Sequence, residues 1–166
     1  MNVAAVARAL TGFALLVLAH FTVRPLLGGP VQVDFLTIAV LFSAVRVRPG
    51  AAAVIGFVAG LALDSLSPGH FGTAALAYTL VAFVAARLNA AFFTDNISLT
   101  GAFVLIGKWS VDAITLLLAG RFTDVRSLAQ LAVWSPLAAL ATAAVALVLL
   151  GIARPWFSSV DPSRRR

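Results

Sequence analysis

The chain has 166 residues, of which 61% are hydrophobic and 11% are charged, with a net charge of +6 and a mean hydropathy of +1.03. A soluble domain carries about 25% charged residues, and a small fold cannot hide this much apolar surface from water, so a soluble protein is excluded and a membrane protein is predicted. Most of the basic residues flank apolar runs, where they can orient a membrane protein, so a nucleic-acid partner is not expected. Cysteine is absent, so a thiolate metal site is not expected either.

Six apolar runs predict an all-α membrane domain of six transmembrane helices over residues 1–156, followed by a polar, basic cytoplasmic tail at 157–166. The runs are Ala9–Val23, Phe35–Val45, Ala51–Leu63, Phe71–Ala86, Leu99–Ala119 and Leu128–Ala153. The first run resembles a signal peptide, but no small-residue cleavage site follows it, so we expect it to be retained as a helix. Arg24-Pro25 and the Gly-Gly-Pro at 28–30 predict where this helix ends.

The second and third runs are shorter than the roughly 20 residues that cross a bilayer, so each needs its flanking residues. A second helix that extends from Gln32 to Arg48 is long enough. Pro49 and Gly50 then predict a tight turn, which makes the second and third helices a hairpin.

Helix boundaries in the second half of the chain are predicted from capping residues and proline. Ser98 and the preceding residues 94–96 can cap the fifth helix, and Ser127 can cap the sixth. Pro136 lies inside the sixth run, where it predicts a kink. Arg154-Pro155 predicts the end of that helix.

The arginines are distributed unequally between the two ends of the six predicted helices. One side holds Arg24, Arg121 and Arg126. The other side, which includes both termini, holds Arg8, Arg46, Arg48, Arg87, Arg154, Arg164, Arg165 and Arg166. The positive-inside rule therefore predicts that both termini are cytoplasmic. Asp34 and Asp64 then lie on the outer side of the membrane.

Small residues form a stripe on the third helix, because Ala52, Gly56, Gly60 and Asp64 recur every four residues. Small residues at this spacing let another helix approach closely within lipid. The neighbouring helix belongs either to the same chain or to a partner, and the sequence leaves both open. Asp64 likewise either accepts hydrogen bonds from the turn that follows it or meets a cationic group of a partner.

Lys108 and Asp112 lie in mid-membrane, four residues apart on the fifth helix, so they can neutralise one another on one face. We expect an internal ion pair. A polar contact with another subunit and a proton or ion relay are the alternatives, and His20 is the residue that would join such a relay. An internal pair predicts that losing Asp112 alone is worse than losing both charges.

Catalysis is not expected from this sequence. Asp64, Ser65, Ser67 and His70 have the side chains of a hydrolase, but they fall within one turn, whereas a catalytic triad brings its members from separate elements. The sequence also lacks a histidine cluster and a phosphate-binding loop. We therefore predict no enzymatic activity, no metal and no cofactor.

The most distinctive segment is a glycine-rich helix that ends in an aspartate, followed by a Ser-Pro-Gly turn, a further glycine and a small-apolar helix. Its residues are Gly56, Gly60, Asp64, Ser67, Pro68, Gly69, Gly72, Ala75, Leu76 and Tyr78. An aspartate, Asp34, also opens the second helix ahead of an arginine-rich turn. In order and spacing, these elements resemble the MreD family of rod shape-determining membrane proteins. The segment from Gly56 to Gly72 is our candidate for helix packing or partner contact.

The resemblance implies a non-enzymatic scaffold subunit of the bacterial cell-elongation machinery in the cytoplasmic, or inner, membrane. The implied partner is MreC, bound through helix–helix contacts. Through MreC, the resemblance also implies indirect association with the peptidoglycan glycosyltransferase and transpeptidase pair and with the MreB cytoskeleton. Membrane lipids surround the protein in this interpretation, and no nucleic acid is involved.

The alternative function also comes from the resemblance, because the MreD family is similar in fold to the substrate-binding subunits of energy-coupling-factor vitamin transporters. A small-solute-binding subunit predicts an outward pocket with several converging polar or aromatic residues, whereas a scaffold predicts helix-lined surface grooves. The sequence has few polar residues at the outer helix ends, which favours the scaffold.

Overall fold

The computed structural model describes residues 3–27, 31–66, 71–92, 97–121 and 124–158, and the regular structure in these ranges is helical. The elements are α1 Val3–Leu27, α2 Phe35–Ala44, α3 Pro49–Ser65, α4 Thr73–Phe92, α5 Ile97–Leu118, α6 Val125–Ala129, a π-helical turn Gln130–Trp134, and α7 Ser135–Ser158. The predicted all-α class is confirmed for this part of the chain.

Three stretches are long and apolar enough to cross a membrane: Val6–Val23, Ser98–Leu118 and Val125–Ile152. The last of them combines α6, the π-helical turn and α7. The apolar parts of α2, α3 and α4 are shorter, at 10–17 residues. The protein is therefore a helical membrane protein with three full-length candidate spans and three shorter apolar helices in its described part.

The short helix α2 forms the centre of the bundle. Its residues Leu36, Ile38, Val40 and Leu41 are all buried, although they point to different sides of the helix. A helix that is apolar on every side belongs in a core, and α2 contacts α1, α3, α4, α5 and α7. With 10 residues it is about 15 Å long, so the predicted helix from Gln32 to Arg48 was too long.

The first helix ends within the range that the sequence predicted, directly before the Gly-Gly-Pro at 28–30. The first helix does not stop at Arg24-Pro25 but includes Pro25 and continues to Leu27. Proline removes one intrahelical hydrogen bond, and at Pro25 only the last residues of the helix follow that interruption. Residues 28–30 of the predicted stop lie outside the described part of the chain, and so do the predicted caps at 94–96.

The last long helix begins one turn earlier than predicted. Asp124, not Ser127, is its N-cap: the carboxylate accepts from the Arg126 amide at 3.1 Å and from the Ser127 hydroxyl at 3.2 Å. A carboxylate at this position satisfies backbone donors that have no intrahelical partner.

The interruption predicted at Pro136 takes the form of the π-helical turn that precedes it, in which the Ser135 amide donates to the Gln130 carbonyl. Proline has no N–H and crowds the carbonyl one turn before it, and a wider turn relieves that crowding. The Leu131 carbonyl accepts instead from the Trp109 indole nitrogen of α5 at 3.4 Å. Helix α7 continues to Ser158, two residues past the predicted end of the membrane domain, and residues 159–166 of the predicted tail lie outside the described part.

Candidate functional site

A buried carboxylate, Asp34, lies at the N-terminus of α2 and is 4% exposed. Its Oδ1 accepts from the Thr37 amide at 3.0 Å, and its Oδ2 accepts from the Thr37 hydroxyl at 2.8 Å and from the Tyr78 hydroxyl at 3.0 Å. Asp34 therefore caps α2 and ties it to α4 in the interior of the bundle.

Lys108 of α5 joins Asp34 to Asp112. Its Nζ lies 3.1 Å from Asp34 Oδ2 and 2.5 Å from Asp112 Oδ1. The structure thus brings together Lys108 and Asp112, which we expected to pair. It adds a third charged residue, Asp34, for which the arginine distribution had predicted only a position on the outer side. The spacing of Lys108 and Asp112 on one helix explains both charges by itself, so nothing local in the sequence indicated that Asp34 is a further partner of Lys108.

Three further side chains complete the cluster. His20 Nδ1 of α1 lies 3.2 Å from both Asp34 Oδ1 and the Leu36 amide nitrogen. The Asp34 amide donates to the Thr142 hydroxyl of α7 at 3.0 Å. The Ser135 hydroxyl donates to Asp112 Oδ2 at 2.5 Å. We call this set the Asp34 network; its members are His20, Asp34, Thr37, Tyr78, Lys108, Asp112, Ser135 and Thr142.

The Asp34 network draws on α1, α2, α4, α5 and α7 and fixes their relative positions. An unpaired charge in a bilayer costs several kcal/mol, and a buried pair is tolerated only when further hydrogen bonds satisfy both partners. The donors around Asp34 meet that condition. The cluster therefore makes the packing of five helices depend on one carboxylate and one ammonium group.

A second buried carboxylate, Asp64, connects α3 to α4 and is 4% exposed. Its Oδ2 accepts from the amides of Gly72 at 3.0 Å and Ala75 at 2.9 Å, and its Oδ1 accepts from the Ala74 amide at 3.1 Å. These amides belong to the start of α4, which lacks intrahelical partners for its first N–H groups and attracts negative charge. Asp64 thus caps α4 from the end of α3.

The donors to Asp64 differ in part from those that the sequence suggested. We expected amides near Ser65 to Gly69, and the described bonds come instead from Gly72 and beyond. Gly72 has φ +95°, a conformation that favours glycine, and it turns its amide toward the carboxylate. The candidate residues Ser67, Pro68 and Gly69 lie outside the described part of the chain.

The small-residue stripe of α3 packs against α4 of the same chain. A Cβ on Gly56 would lie 2.8 Å from the Tyr78 carbonyl carbon, and one on Gly60 would lie 2.5 Å from Ala75 Cα. The two helices therefore touch backbone to backbone, as small residues allow. Because these glycines are buried in this contact, the stripe has no room for a helix of another chain.

A cavity of about 610 Å³ adjoins the Asp34 network, at the end of the bundle where α3 and α5 finish and where α2, α4 and α6 begin. Its polar and aromatic lining residues are Gln32, Asp34, Asp64, Thr73, Tyr78, Lys108, Asp112, Thr115, Arg121, Ser127, Gln130, Trp134 and Ser135. We had expected few polar groups at this end. That expectation was wrong, because residues scattered over five separate segments of the sequence converge here only after folding.

Residues 8–150, which include every charged residue of the Asp34 network, match the sequence family described as rod shape-determining protein MreD. The chain belongs to the MreD family. The resemblance seen over roughly 60 residues is thereby confirmed over nearly the whole chain. MreD proteins are membrane components of the MreBCD shape system, and no match was found among curated proteins or solved structures.

All candidate site residues, from Asp34 to Asp112, fall inside the region that matches MreD. The family consists of shape-determining membrane proteins and is not a known enzyme family. In the described residues, no group of three or more histidine, cysteine or acidic side chains is placed to hold a metal ion. The contacts described at the site are ion pairs and hydrogen bonds.

A second, apolar depression lies between α4 and α5 and has a volume of about 390 Å³. We call it the α4–α5 groove. Ala85, Ala102 and Ser110 contribute small side chains to it, and Leu80, Val84, Leu88, Leu99 and Ile106 are large, exposed apolar residues along it. It differs from the polar cavity in having almost no groups that could orient a small polar ligand.

Proposed function

We propose that the protein is a non-enzymatic scaffold subunit of the bacterial cell-elongation machinery that binds MreC through helix–helix contacts in the inner membrane. Through MreC it acts on the glycosyltransferase and transpeptidase pair and on the MreB cytoskeleton. The observation that carries the proposal is the match to MreD over residues 8–150. The bundle is consistent with this role, because its polar side chains serve mainly to hold helices together.

In the proposed topology the chain crosses the membrane six times with both termini in the cytoplasm, and the 10-residue α2 crosses inside the bundle together with the non-helical residues on either side of it. The arginine asymmetry supports this topology, and so does the placement of Asp34, Asp64 and Arg121 around one cavity at one end of the bundle. Reporter fusions after Arg48 and Arg87 should therefore report cytoplasm, and fusions within 64–70 should report the outer side. An external signal after Arg48 would contradict the six-crossing topology.

The α4–α5 groove is the surface where a transmembrane helix of MreC docks. Its small residues allow a helix to approach, and its exposed leucine, valine and isoleucine side chains flank that approach. Ala102→Trp fills the groove from its surface, and Val148→Trp is the matched control, because Val148 is 61% exposed on α7 and lies outside the groove.

The decisive experiment is co-purification from native bacterial membranes, with membrane abundance measured in parallel. We expect wild type and Val148→Trp to recover MreC and Ala102→Trp to recover several-fold less at equal abundance. Equal recovery of MreC by both variants would show that MreC does not dock in the α4–α5 groove. Failure of the wild type to recover MreC would overturn the scaffold function.

A small-solute-binding subunit is the second candidate, and the polar cavity is the observation that favours it. Its volume lies within the range of about 300–1,000 Å³ that is typical of small-molecule sites. The same co-purification separates the two functions: the scaffold predicts MreC among the recovered chains, whereas a transporter subunit predicts the other subunits of a transporter.

A further inference from the structure

The three carboxylates that line the polar cavity differ in how completely the protein satisfies them. Asp34 accepts from Thr37 and Tyr78 and contacts Lys108. Asp64 accepts from three amides of α4. Both residues are 4% exposed. Both carboxylates are almost fully covered by these partners, so little of either is exposed to a ligand in the cavity.

Asp112 is different. Its Oδ1 contacts Lys108 and its Oδ2 accepts from Ser135, while its side chain is 27% exposed. An ionised carboxylate has about four acceptor positions, so Asp112 retains acceptor capacity toward the cavity that it lines. Of the three carboxylates, it is the one that a ligand can reach.

Lys108 provides the complementary group beside it. An ammonium group has three N–H donors, and the contacts of Lys108 within the described residues are Asp34 Oδ2 and Asp112 Oδ1. Its side chain is 9% exposed and lines the same cavity. One buried donor is therefore left for an acceptor in the cavity, directly next to the accessible carboxylate.

The charges around this point are unequal. One lysine is shared between Asp34 and Asp112, and a third group, His20, faces Asp34 through the same nitrogen that contacts the Leu36 amide. Asp112 therefore shares its one described cationic partner with Asp34, and its exposed side has room for a second cation.

We propose that the polar cavity binds a zwitterionic group whose primary ammonium contacts Asp112 and whose neighbouring anionic oxygen accepts from Lys108. The ammonium gives Asp112 a second cationic partner, and the anion prevents repulsion by Lys108 and by Arg121, which lies elsewhere in the lining. Trp134 is 42% exposed and lines the cavity, and an indole ring favours a cation nearby. An ethanolamine phosphate group has this chemistry, whether on a lipid or on a soluble molecule. The inference does not depend on the scaffold function.

The test compares lipids that share their acyl chains and differ in the headgroup. Purified full-length protein is incubated with equal amounts of phosphatidylethanolamine, phosphatidylcholine and phosphatidylglycerol, and retained lipid is counted by native mass spectrometry. Phosphatidylcholine keeps both charges but has no N–H to donate, and phosphatidylglycerol has no cation. We expect phosphatidylethanolamine to be retained about tenfold over either lipid, a factor that corresponds to about 1.4 kcal/mol. Equal retention of the three lipids by the wild-type protein would by itself overturn the proposal.

Variants then locate the site. Asp112→Asn should abolish the preference for phosphatidylethanolamine, because the amide has no charge for the ammonium group. Asp124→Asn is the matched control: Asp124 caps α6 near the same end of the bundle but does not line the cavity. A preference that survives Asp112→Asn, or that is lost equally in the control, would overturn the site.

A competition experiment identifies the source of the ligand. Glycerophosphoethanolamine has the same headgroup without acyl chains. If it displaces phosphatidylethanolamine from the wild type but does not bind Asp112→Asn, the site takes a soluble solute. If it fails while the lipid preference stands, the site takes a lipid headgroup. Both results support a zwitterion site, and neither is expected if the cavity has no ligand.

Discussion

The carboxylates of Asp64 and Asp112 line the same cavity and are held in opposite ways. Asp64 is closed off by three backbone amides at the start of α4, so its contacts among the described residues involve adjacent elements and no other charge. Asp112 depends on the side chains of Lys108 and Ser135 from α5 and α7, and it remains partly exposed. A carboxylate that is saturated by backbone amides builds the fold, whereas one that is partly satisfied by side chains remains available for binding.

The largest effect is expected at the α3–α4 contact that holds Asp64 in place. In Gly60→Leu, the new side chain meets the α4 backbone near Ala74 and Ala75, and backbone cannot move aside as a flexible side chain can. Overpacking a core costs about 1–3 kcal/mol, and a clash with backbone costs more. We expect membrane abundance to fall about tenfold or more.

The matched control for this prediction is Gly12→Leu. Nothing lies within 4 Å of a Cβ at Gly12 on α1, so this variant should accumulate like the wild type. Normal abundance of Gly60→Leu, measured by immunoblot of washed membranes, would contradict the close helix contact.

The next effect concerns the charges of the Asp34 network, where the structure reverses a prediction made from the sequence. If Lys108 and Asp112 formed an isolated pair, Asp112→Asn alone would leave the lysine uncompensated. The single variant was therefore expected to be more damaging than the double variant Lys108→Gln with Asp112→Asn. Because Lys108 also contacts Asp34, Asp112→Asn leaves the lysine paired, whereas the double change leaves Asp34 without its cation. Breaking a buried pair costs about 3–5 kcal/mol.

We therefore expect Asp112→Asn to accumulate near the wild-type level and the double variant to lose most of its thermal stability in detergent. The measurement is the midpoint of thermal unfolding followed by size-exclusion chromatography. A double variant that is more stable than Asp112→Asn would mean that Asp34 does not depend on Lys108.

A graded effect, which depends on the residue that replaces it, is expected at Asp64. Leu removes all three acceptor contacts and leaves buried N–H groups unsatisfied, at about 1–3 kcal/mol each. Asn keeps one oxygen, which in the position of Oδ2 can accept from the Gly72 and Ala75 amides. Its NH₂ group then faces the Ala74 amide, and two donors cannot form a hydrogen bond. We expect Asn to retain part of the abundance and Leu to retain little.

Cell-width rescue in a strain lacking its own MreD separates fold from charge at this site. If Asp64 acts through the backbone, rescue by each variant should follow its membrane abundance. If Asp64→Asn reached full abundance but did not restore cell width, a partner would instead recognise the negative charge of Asp64.

The polar positions show how far the sequence can predict a site. The four-residue spacing brought Lys108 and Asp112 together, because a helix places such residues on one face. The sequence could not pair Asp34 with Lys108, which lie 74 positions apart, since nothing in either segment specifies the distance between α2 and α5. The donors to Asp64 were misplaced by a few residues for a similar reason, because the turn from α3 to α4 decides which amides reach it.

The sequence by itself determined that this is a helical membrane protein of the MreD family, since composition, apolar runs and the glycine-rich segment are local properties that lipid solvation and helix geometry convert directly into structure. Tertiary packing decided which helices meet: that α2 is a short buried core helix, that the stripe on α3 faces α4, and that charges from separate helices share one network beside a polar cavity. The physical reason is that burial and pairing depend on distances between segments. Those distances are set by the whole bundle and not by any segment alone.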